Sequence, residues 1–326
     1  MSALSKFVGC ILFTSFLFMC PNAKANKFFA LGTASNKGTY YPVGKAFCKQ
    51  INRSRDEHKL RCLEYTTGGS VYNIQALSSG ELDLAITRSD LAYFAYRGEE
   101  RFLDMGPNNE LRTLLNLYTQ PLLITVKKSS GIKTFSDFAG RKINIGNKGS
   151  GKRDIAEKIF RIMGWSKKYF SSVTEFSTKN QEVPFCSGQV DILIESIGLP
   201  NKLYERLSKQ CDAIFISVPA KILSGLKELG PFFFDYTVPA KFNPGSKNIA
   251  RTLGIKVVLL TQKKIHINSI STITRLIIND LEGFKSAHPA LADVSIKHMF
   301  KEGIRVPLHD GVVSELQKSK KRRQKK

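Results

Sequence analysis

The most informative stretch of the sequence occupies residues 66–73 and reads TTGGSVYN. Its paired glycines let the backbone approach a ligand closely, because glycine has no Cβ and adopts positive φ without strain. Ser70 then opens a predicted helix, and the free amides at a helix N-terminus favour a negatively charged group. The stretch therefore predicts a loop that binds an anion, and we interpret it as a binding loop rather than a catalytic one.

Predicted strands and helices alternate on both sides of this loop. Residues 28–31, 60–65 and 82–87 have the apolar character of strands, and the segments between them have helical periodicity. A second strand, loop and helix follow over residues 142–163, with the glycine-rich loop GNKGSG at 146–151. This alternation predicts an α/β fold of mainly parallel sheets with helices on both faces.

The chain is expected to form two lobes with a hinge between them. Gln120-Pro121 separates two apolar segments, and proline cannot donate to a sheet ladder, so a crossover between lobes is predicted there. The apolar run at 256–260 predicts a buried strand that carries the chain back. We therefore assign residues 26–119 and 255–316 to lobe 1 and residues 120–254 to lobe 2, with a long amphipathic helix after residue 270.

Both ends of the chain have a distinct composition. Residues 1–25 predict a signal peptide that is removed on export, with an apolar run and the cleavage sequence AKA at 23–25. Residues 317–326 form a basic run that predicts a disordered tail and contributes to the net charge of +23. We expect no nucleic-acid partner, because an exported chain meets no genome, although an anionic membrane surface could attract the tail.

Four cysteines remain after removal of the signal, in an oxidising compartment where disulfides persist. Four cysteines allow three pairings. Proximity in sequence favours Cys48 with Cys62 and Cys186 with Cys211, each within one lobe. A metal site is not expected, since no C-x-x-C pair is present and no histidine lies near a cysteine at ligand spacing.

Catalytic and nucleotide motifs are incomplete. The loop at 146–153 approaches the phosphate-binding pattern G-x-x-x-x-G-K-[ST], but Arg153 stands where serine or threonine would hold magnesium. The segment at 68–72 lacks the final glycine of G-x-S-x-G, and the five histidines are scattered. We therefore expect no enzyme activity and no cofactor, and we predict that the second glycine-rich loop also gathers amides for an anion.

Several of these segments together resemble the TAXI family, the solute receptors of one class of tripartite ATP-independent periplasmic (TRAP) transporters. The likeness runs from about residue 28 to about residue 289. It rests on LGT at 31–33, GTYYP at 38–42, TGGSV at 67–71, DLAI at 83–86, Ser89-Asp90, GSG at 149–151, CSGQVD at 186–191 and GLP at 198–200. The sequence departs from the family at Lys152, where threonine is usual, and at Leu199, where histidine is common before the proline.

The resemblance implies a periplasmic-binding-protein-like fold of type II and a periplasmic receptor. Such a monomer would capture a small carboxylate-bearing solute, a glutamate-like amino acid or a dicarboxylate, by hinge closure and deliver it to a TRAP-type permease. An enzyme on the same fold and a surface-exposed, immunogenic interaction protein that has lost its solute stay open as alternatives. The candidate ligand-binding residues are Thr33, Thr39, Tyr40, Gly69, Ser70, Asn73, Ser89, Asp90, Tyr118, Gly149, Ser150 and Gly151.

Overall fold

The computed structural model describes residues 27–246 and 248–324. The predicted signal peptide, residues 1–25, lies outside these ranges. Among the residues that are described, no helix has the length and apolar character that a membrane span requires.

The described residues form ten strands and twelve α-helices. The strands are β1 (Lys27–Gly32), β2 (Leu60–Tyr65), β3 (Leu84–Arg88), β4 (Leu111–Lys127), β5 (Lys142–Asn144), β6 (Ser172–Thr174), β7 (Ile192–Ser196), β8 (Ala213–Ile216), β9 (Phe233–Thr237) and β10 (Arg251–Gln262). The helices are α1 (Tyr40–Asn52), α2 (Arg55–His58), α3 (Ser70–Ser79), α4 (Ser89–Arg97), α5 (Gly151–Met163), α6 (Glu182–Cys186), α7 (Lys202–Cys211), α8 (Ala220–Glu228), α9 (Ile267–Asn279), α10 (Leu281–Ser286), α11 (Ile296–Phe300) and α12 (Asp310–Gln324).

Two mixed sheets, one in each lobe, share the long strand β4. In lobe 1 the strand order is β2-β1-β3-β10-β4, and in lobe 2 it is β4-β7-β5-β6, with β8 also paired to β4. Strands β1, β2 and β3 are parallel, as are β5, β6 and β7. The sheets are mixed rather than mainly parallel as predicted, because β4 and β10, which connect the lobes, run antiparallel to their neighbours.

The crossover at Gln120-Pro121 lies within one continuous strand instead of between two. Pro121 is the last residue of β4 that pairs with β10, opposite Gly254, and Leu122 is the first that pairs with β7. The proline therefore lies at the boundary between two ladders, where a missing N–H group is tolerated.

The predicted apolar faces pack into the core. Val43, Phe47 and Ile51 of α1 are buried together against the sheet of lobe 1. The long helix expected after residue 270 is divided into α9 and α10, because Asp280 caps α10 by accepting a hydrogen bond from the Gly283 amide at 3.1 Å. Helix α9 buries the side chains of Ile270, Ile273 and Ile277.

Both disulfides form as predicted, Cys48–Cys62 in lobe 1 and Cys186–Cys211 in lobe 2. The prediction of a disordered tail differs from the structure, in which α12 continues through the basic run as far as Gln324. Helix α12 packs on α9, and Glu315 accepts a hydrogen bond from Ser271 and pairs with Arg322. Lysine, arginine and glutamine are good helix formers, so the basic run extends a helix that is already anchored.

Candidate functional site

A cavity of about 280 Å³ lies between the lobes. Its lining residues fall within segments 34–40, 66–70, 147–152, 177–179 and 195–198, and Gln120 of β4 adds one more. These segments follow β1, β2, β5 and β6 and include the end of β7, so the cavity lies at the carboxyl ends of the parallel strands. Ligands of open α/β sheets bind at such positions.

The two glycine-rich loops meet at this cavity and hold the lobes together. The amides of Val71 and Tyr72, in the first turn of α3, donate to the Gly149 carbonyl at 3.0 and 3.1 Å. Gly69 has a φ of 108°, and a Cβ there would lie 3.3 Å from Ser150 Cα. Glycine is therefore needed at residue 69 both for its backbone conformation and for the close approach of the loops.

This contact changes which helix amides face the cavity. The sequence predicted that the free amides of α3 would meet the solute, but two of them already bond to Gly149 of lobe 2. In α5 the Ser150 hydroxyl caps the Arg153 amide at 3.2 Å. The amides of Gly151 and Lys152 precede the first intrahelical bond and have no acceptor among the described residues, so α5 offers the more accessible positive helix end.

A buried ion pair forms part of the cavity wall. Lys152 Nζ lies 3.2 Å from Glu195 Oε2, and each of the two side chains is 3% exposed. The same ammonium donates to Thr178 Oγ1 at 3.2 Å and to Gln181 Oε1 at 2.9 Å. Burial lowers the pKa of Lys152, an effect that the Glu195 charge opposes. Lys152 stands in the sequence as part of an incomplete phosphate-binding pattern and as a departure from a family pattern, whereas Glu195 was not among the candidate binding residues.

Hydroxyl and amide side chains complete the wall. The Tyr40 hydroxyl lies 3.0 Å from Ser70 Oγ, and burial raises the pKa of Tyr40 to about 12. Gln120 donates to the Ser196 hydroxyl at 2.7 Å, while its own Oε1 has no hydrogen-bond partner among the described residues. A buried amide oxygen without a partner costs free energy, so Gln120 is a candidate contact for a bound molecule.

A family model described as the NMT1-like family matches residues 31–314. The chain belongs to the NMT1-like family.

Solved structures share the fold at low identity. One, described as a periplasmic transporter, is 12% identical with a TM-score of 0.53, over 82% of this chain and 88% of that chain. A Listeria monocytogenes protein, provisionally assigned as an L-cystine ABC transporter, is 14% identical with a TM-score of 0.50, over 82% and 97%. The alkanesulfonate-binding protein SsuA of Xanthomonas axonopodis pv. citri is 14% identical with a TM-score of 0.46, over 90% and 85%. The first two likenesses establish a two-lobed α/β fold of the periplasmic-binding-protein type.

Half of the predicted ligand-binding residues in this family member line the cavity. They are Thr39, Tyr40, Gly69, Ser70, Ser150 and Gly151. Thr39 also joins the lobes, because its hydroxyl donates to the Gly198 carbonyl at 2.8 Å.

The other six predicted residues lie outside the lining. They are Thr33, Asn73, Ser89, Asp90, Tyr118 and Gly149. Asn73 is fully buried and donates to the carbonyls of Thr33 and Ile86 at 2.6 and 2.8 Å, which ties the ends of β1 and β3 together. Tyr118 is buried beside Gly198, where a Cβ would lie 2.6 Å from Tyr118 Cε2. The Asn73 and Tyr118 side chains therefore support the loops that surround the cavity.

Asp90 belongs to a buried ion network between the lobes. Its carboxylate pairs with Arg88, which also donates to the Gly151 carbonyl and pairs with Asp154 of α5 at 2.9 Å. Lys158 and Arg101 complete the partners of Asp154. Burial alone would raise the pKa of Asp154, but the charges of Arg88, Lys158 and Arg101 outweigh it and hold the pKa at about 2. We call Arg88, Asp90, Arg101, Asp154 and Lys158 the interlobe ion network.

Proposed function

We propose that the protein is an extracytoplasmic solute-binding receptor that captures a small carboxylate-bearing solute by closing its two lobes around it. The observation that carries the proposal is the cavity between lobes that already touch through their glycine-rich loops. Glutamate-like amino acids and dicarboxylates are the candidate solutes. Receptors of this architecture respond to a ligand by hinge closure, and closure requires no chemical step.

The chemistry of the cavity supports a carboxylate. The free amides of Gly151 and Lys152 and the hydroxyl of Ser70, which can accept from Tyr40 and donate to a solute, are suited to carboxylate oxygens. The charged lining residues are Lys152, Lys179 and Glu195, so the cavity has an excess of positive charge. Its volume is slightly below the range of pockets for drug-sized ligands, which suits a small metabolite.

Delivery to a TRAP-type membrane permease is the second part of the proposal. It rests on the resemblance to the TAXI family, since the Listeria monocytogenes protein that shares the fold is named for the ABC class of transporters. The predicted signal peptide and the two disulfides support a periplasmic location, where such receptors act. We propose that the receptor acts as a monomer that presents its closed form to the permease.

Isothermal titration of the mature protein with a panel of dicarboxylates and amino acids tests the proposal. In thermal unfolding of the same protein, a solute at a hundred times its dissociation constant should raise the free energy of unfolding by about 2.7 kcal/mol. Replacing the hydroxyl of Ser70 should weaken binding about 2- to 10-fold, the value of one hydrogen bond. The matched control is Ser79→Ala at the far end of the same helix, whose hydroxyl bonds to Ala76.

Three results would contradict the proposal. Equal affinities of Ser70→Ala, Ser79→Ala and the unaltered protein would place the solute outside the cavity. Recovery of a chemically altered solute would indicate an enzyme on the same fold. A third result, no heat or stabilisation from any carboxylate, would favour the interaction protein that has lost its solute.

A further inference from the structure

The cavity has one carboxylate among its lining residues in the described part of the chain, that of Glu195. Its Oε2 accepts from Lys152, Thr178 and Gln181 at 3.2, 3.0 and 3.2 Å. Its Oε1 accepts from the Ser196 amide at 3.2 Å. A carboxylate has about four acceptor sites, so these bonds leave Glu195 little capacity for a group on the solute.

The ammonium of Lys152 is equally committed. Its three N–H groups match three acceptors, Thr178 Oγ1, Gln181 Oε1 and Glu195 Oε2. Gln181 is itself held by Asn144, whose amide donates to the same Oε1 at 3.1 Å. The result is a closed set of hydrogen bonds around one ammonium group.

The backbone is shaped to admit this lysine. Gly146 has a φ of 89°, and a Cβ there would lie 2.5 Å from Lys152 Cγ and 2.6 Å from Cε. The stem of Lys152 therefore packs directly on the Gly146 backbone before its ammonium reaches Glu195. Lys152 is therefore a fixed part of the cavity wall, and its ammonium is not free to bind a ligand.

We propose that Lys152 fills the position that a solute ammonium would otherwise take beside Glu195, so that the cavity selects carboxylates that carry no ammonium group. This inference rests on the proposed function and narrows its solute class to dicarboxylates. A solute ammonium would be buried in the closed cleft with no unpaired carboxylate to receive it, and a buried charge without a partner is strongly disfavoured. The Lys152 and Glu195 charges cancel, which leaves Lys179 and the α5 amides to attract an anion.

The first test compares glutarate with L-glutamate by titration at pH 7. The two share a carbon chain and two carboxylates and differ in the α-ammonium alone. The expected result is that glutarate binds at least about 10-fold more tightly, because the unpaired ammonium loses its hydration. Equal affinities, or tighter binding of glutamate, would overturn the inference and leave the proposed function intact.

Removing the lysine should abolish or reverse this preference. In Lys152→Thr the carboxylate of Glu195 becomes available, so the affinity ratio of glutarate to glutamate should fall by about 10-fold or more. Lys179→Ala is the matched control, because Lys179 lines the cavity but is exposed, and it should weaken both ligands and leave their ratio unchanged. An unchanged ratio in Lys152→Thr would overturn the inference.

A second measurement does not depend on the natural solute. Lys152→Ala removes three carbons and the ammonium, which together match n-propylamine. The melting temperature of Lys152→Ala should rise with n-propylammonium chloride, while that of the unaltered protein should not. Tetramethylammonium chloride, which has no N–H donor, is the control. Failure of n-propylamine to stabilise the variant would overturn the ammonium position, whereas failure of every carboxylate to bind would count against the proposed function alone.

Discussion

Gly146 and Gly140 show that glycine can be required for two reasons, a positive φ and a lack of space for a Cβ. Both have positive φ, 89° and 70°, which strains any residue with a Cβ. A Cβ on Gly140 would meet nothing within 4 Å, whereas one on Gly146 would meet the Lys152 stem at 2.5 Å. The two positions therefore separate the conformational need for glycine from the need for space.

Gly146→Ala is expected to destabilise the protein more than Gly140→Ala. The control should lose about 1–2 kcal/mol of unfolding free energy from its backbone conformation. Gly146→Ala should lose a further 1–3 kcal/mol or so, because the methyl group displaces the buried lysine. Urea denaturation of the two variants gives the comparison. Equal losses would show that Lys152 moves freely and does not depend on Gly146.

The sequence predicted the cavity loops better than the side chains that meet in them. Gly69, Ser70 and Ser150 could be found because glycine-rich turns before helices have a recognisable local pattern. The Lys152–Glu195 pair could not, since its members are distant in sequence and meet only when α5 and β7 pack together. The interlobe bonds of Val71 and Tyr72 likewise depend on lobe closure, which no local pattern encodes.

The disulfides connect elements within each lobe. Their loss should therefore lower the free energy of unfolding and leave the affinity for a solute unchanged. Cys48–Cys62 joins α1 to β2 across 14 residues, and Cys186–Cys211 joins α6 to α7 across 25. Replacing both cysteines of either pair by alanine should cost about 3 kcal/mol by the loop-closure model, slightly more for the longer loop. Guanidinium unfolding measures the loss. Loss of solute binding in a variant that is still folded would contradict the assignment of the disulfides to stability alone.

Helix α12 shows how an anchored helix overrides composition. The basic run has no apolar residues of its own after residue 317, which favoured disorder, but it continues a helix that already packs on α9. Cations at the C-terminal end of a helix also interact favourably with its dipole. A sequence pattern that is read segment by segment misses this continuation.

Deleting residues 318–326 should lower stability moderately. The deletion removes the pair between Arg322, which is 56% exposed, and the Glu315 carboxylate, which is 1% exposed, and a buried polar group that loses a partner costs about 1–3 kcal/mol. The hydrogen bond from Ser271 to Glu315 remains. Thermal unfolding by circular dichroism checks the result, and a loss of several kcal/mol would show that the basic segment holds α9 in place.

The interlobe ion network joins the lobes beside the cavity. Asp154→Asn should cost about 3–5 kcal/mol near pH 7, because Arg88 and Lys158 then lose a buried partner. Glu157→Gln is the control, since Glu157 is 46% exposed and pairs with Arg101 at the edge of the network. That variant should change stability by less than about 1 kcal/mol.

The contribution of Asp154 should also depend on pH in a defined window. Its pKa is held at about 2 in the folded protein, below the ordinary value of 3.8. The stabilisation is therefore fully present above about pH 4 and is lost as the pH falls towards 2, by an amount on the order of 2 kcal/mol. Urea denaturation of the protein and of Asp154→Asn should converge over this range. A constant difference between them would contradict the assignment.

The pairing of β4 with β10 allows the two lobes to evolve separately. Pro121 and Gly254, where the chain enters and leaves lobe 2, lie opposite each other in adjacent strands. Everything between them is thus inserted into lobe 1 at a single point, with entrance and exit side by side. A different second domain inserted at that junction would leave the chain path of lobe 1 unchanged, so the two lobes can diverge independently in evolution.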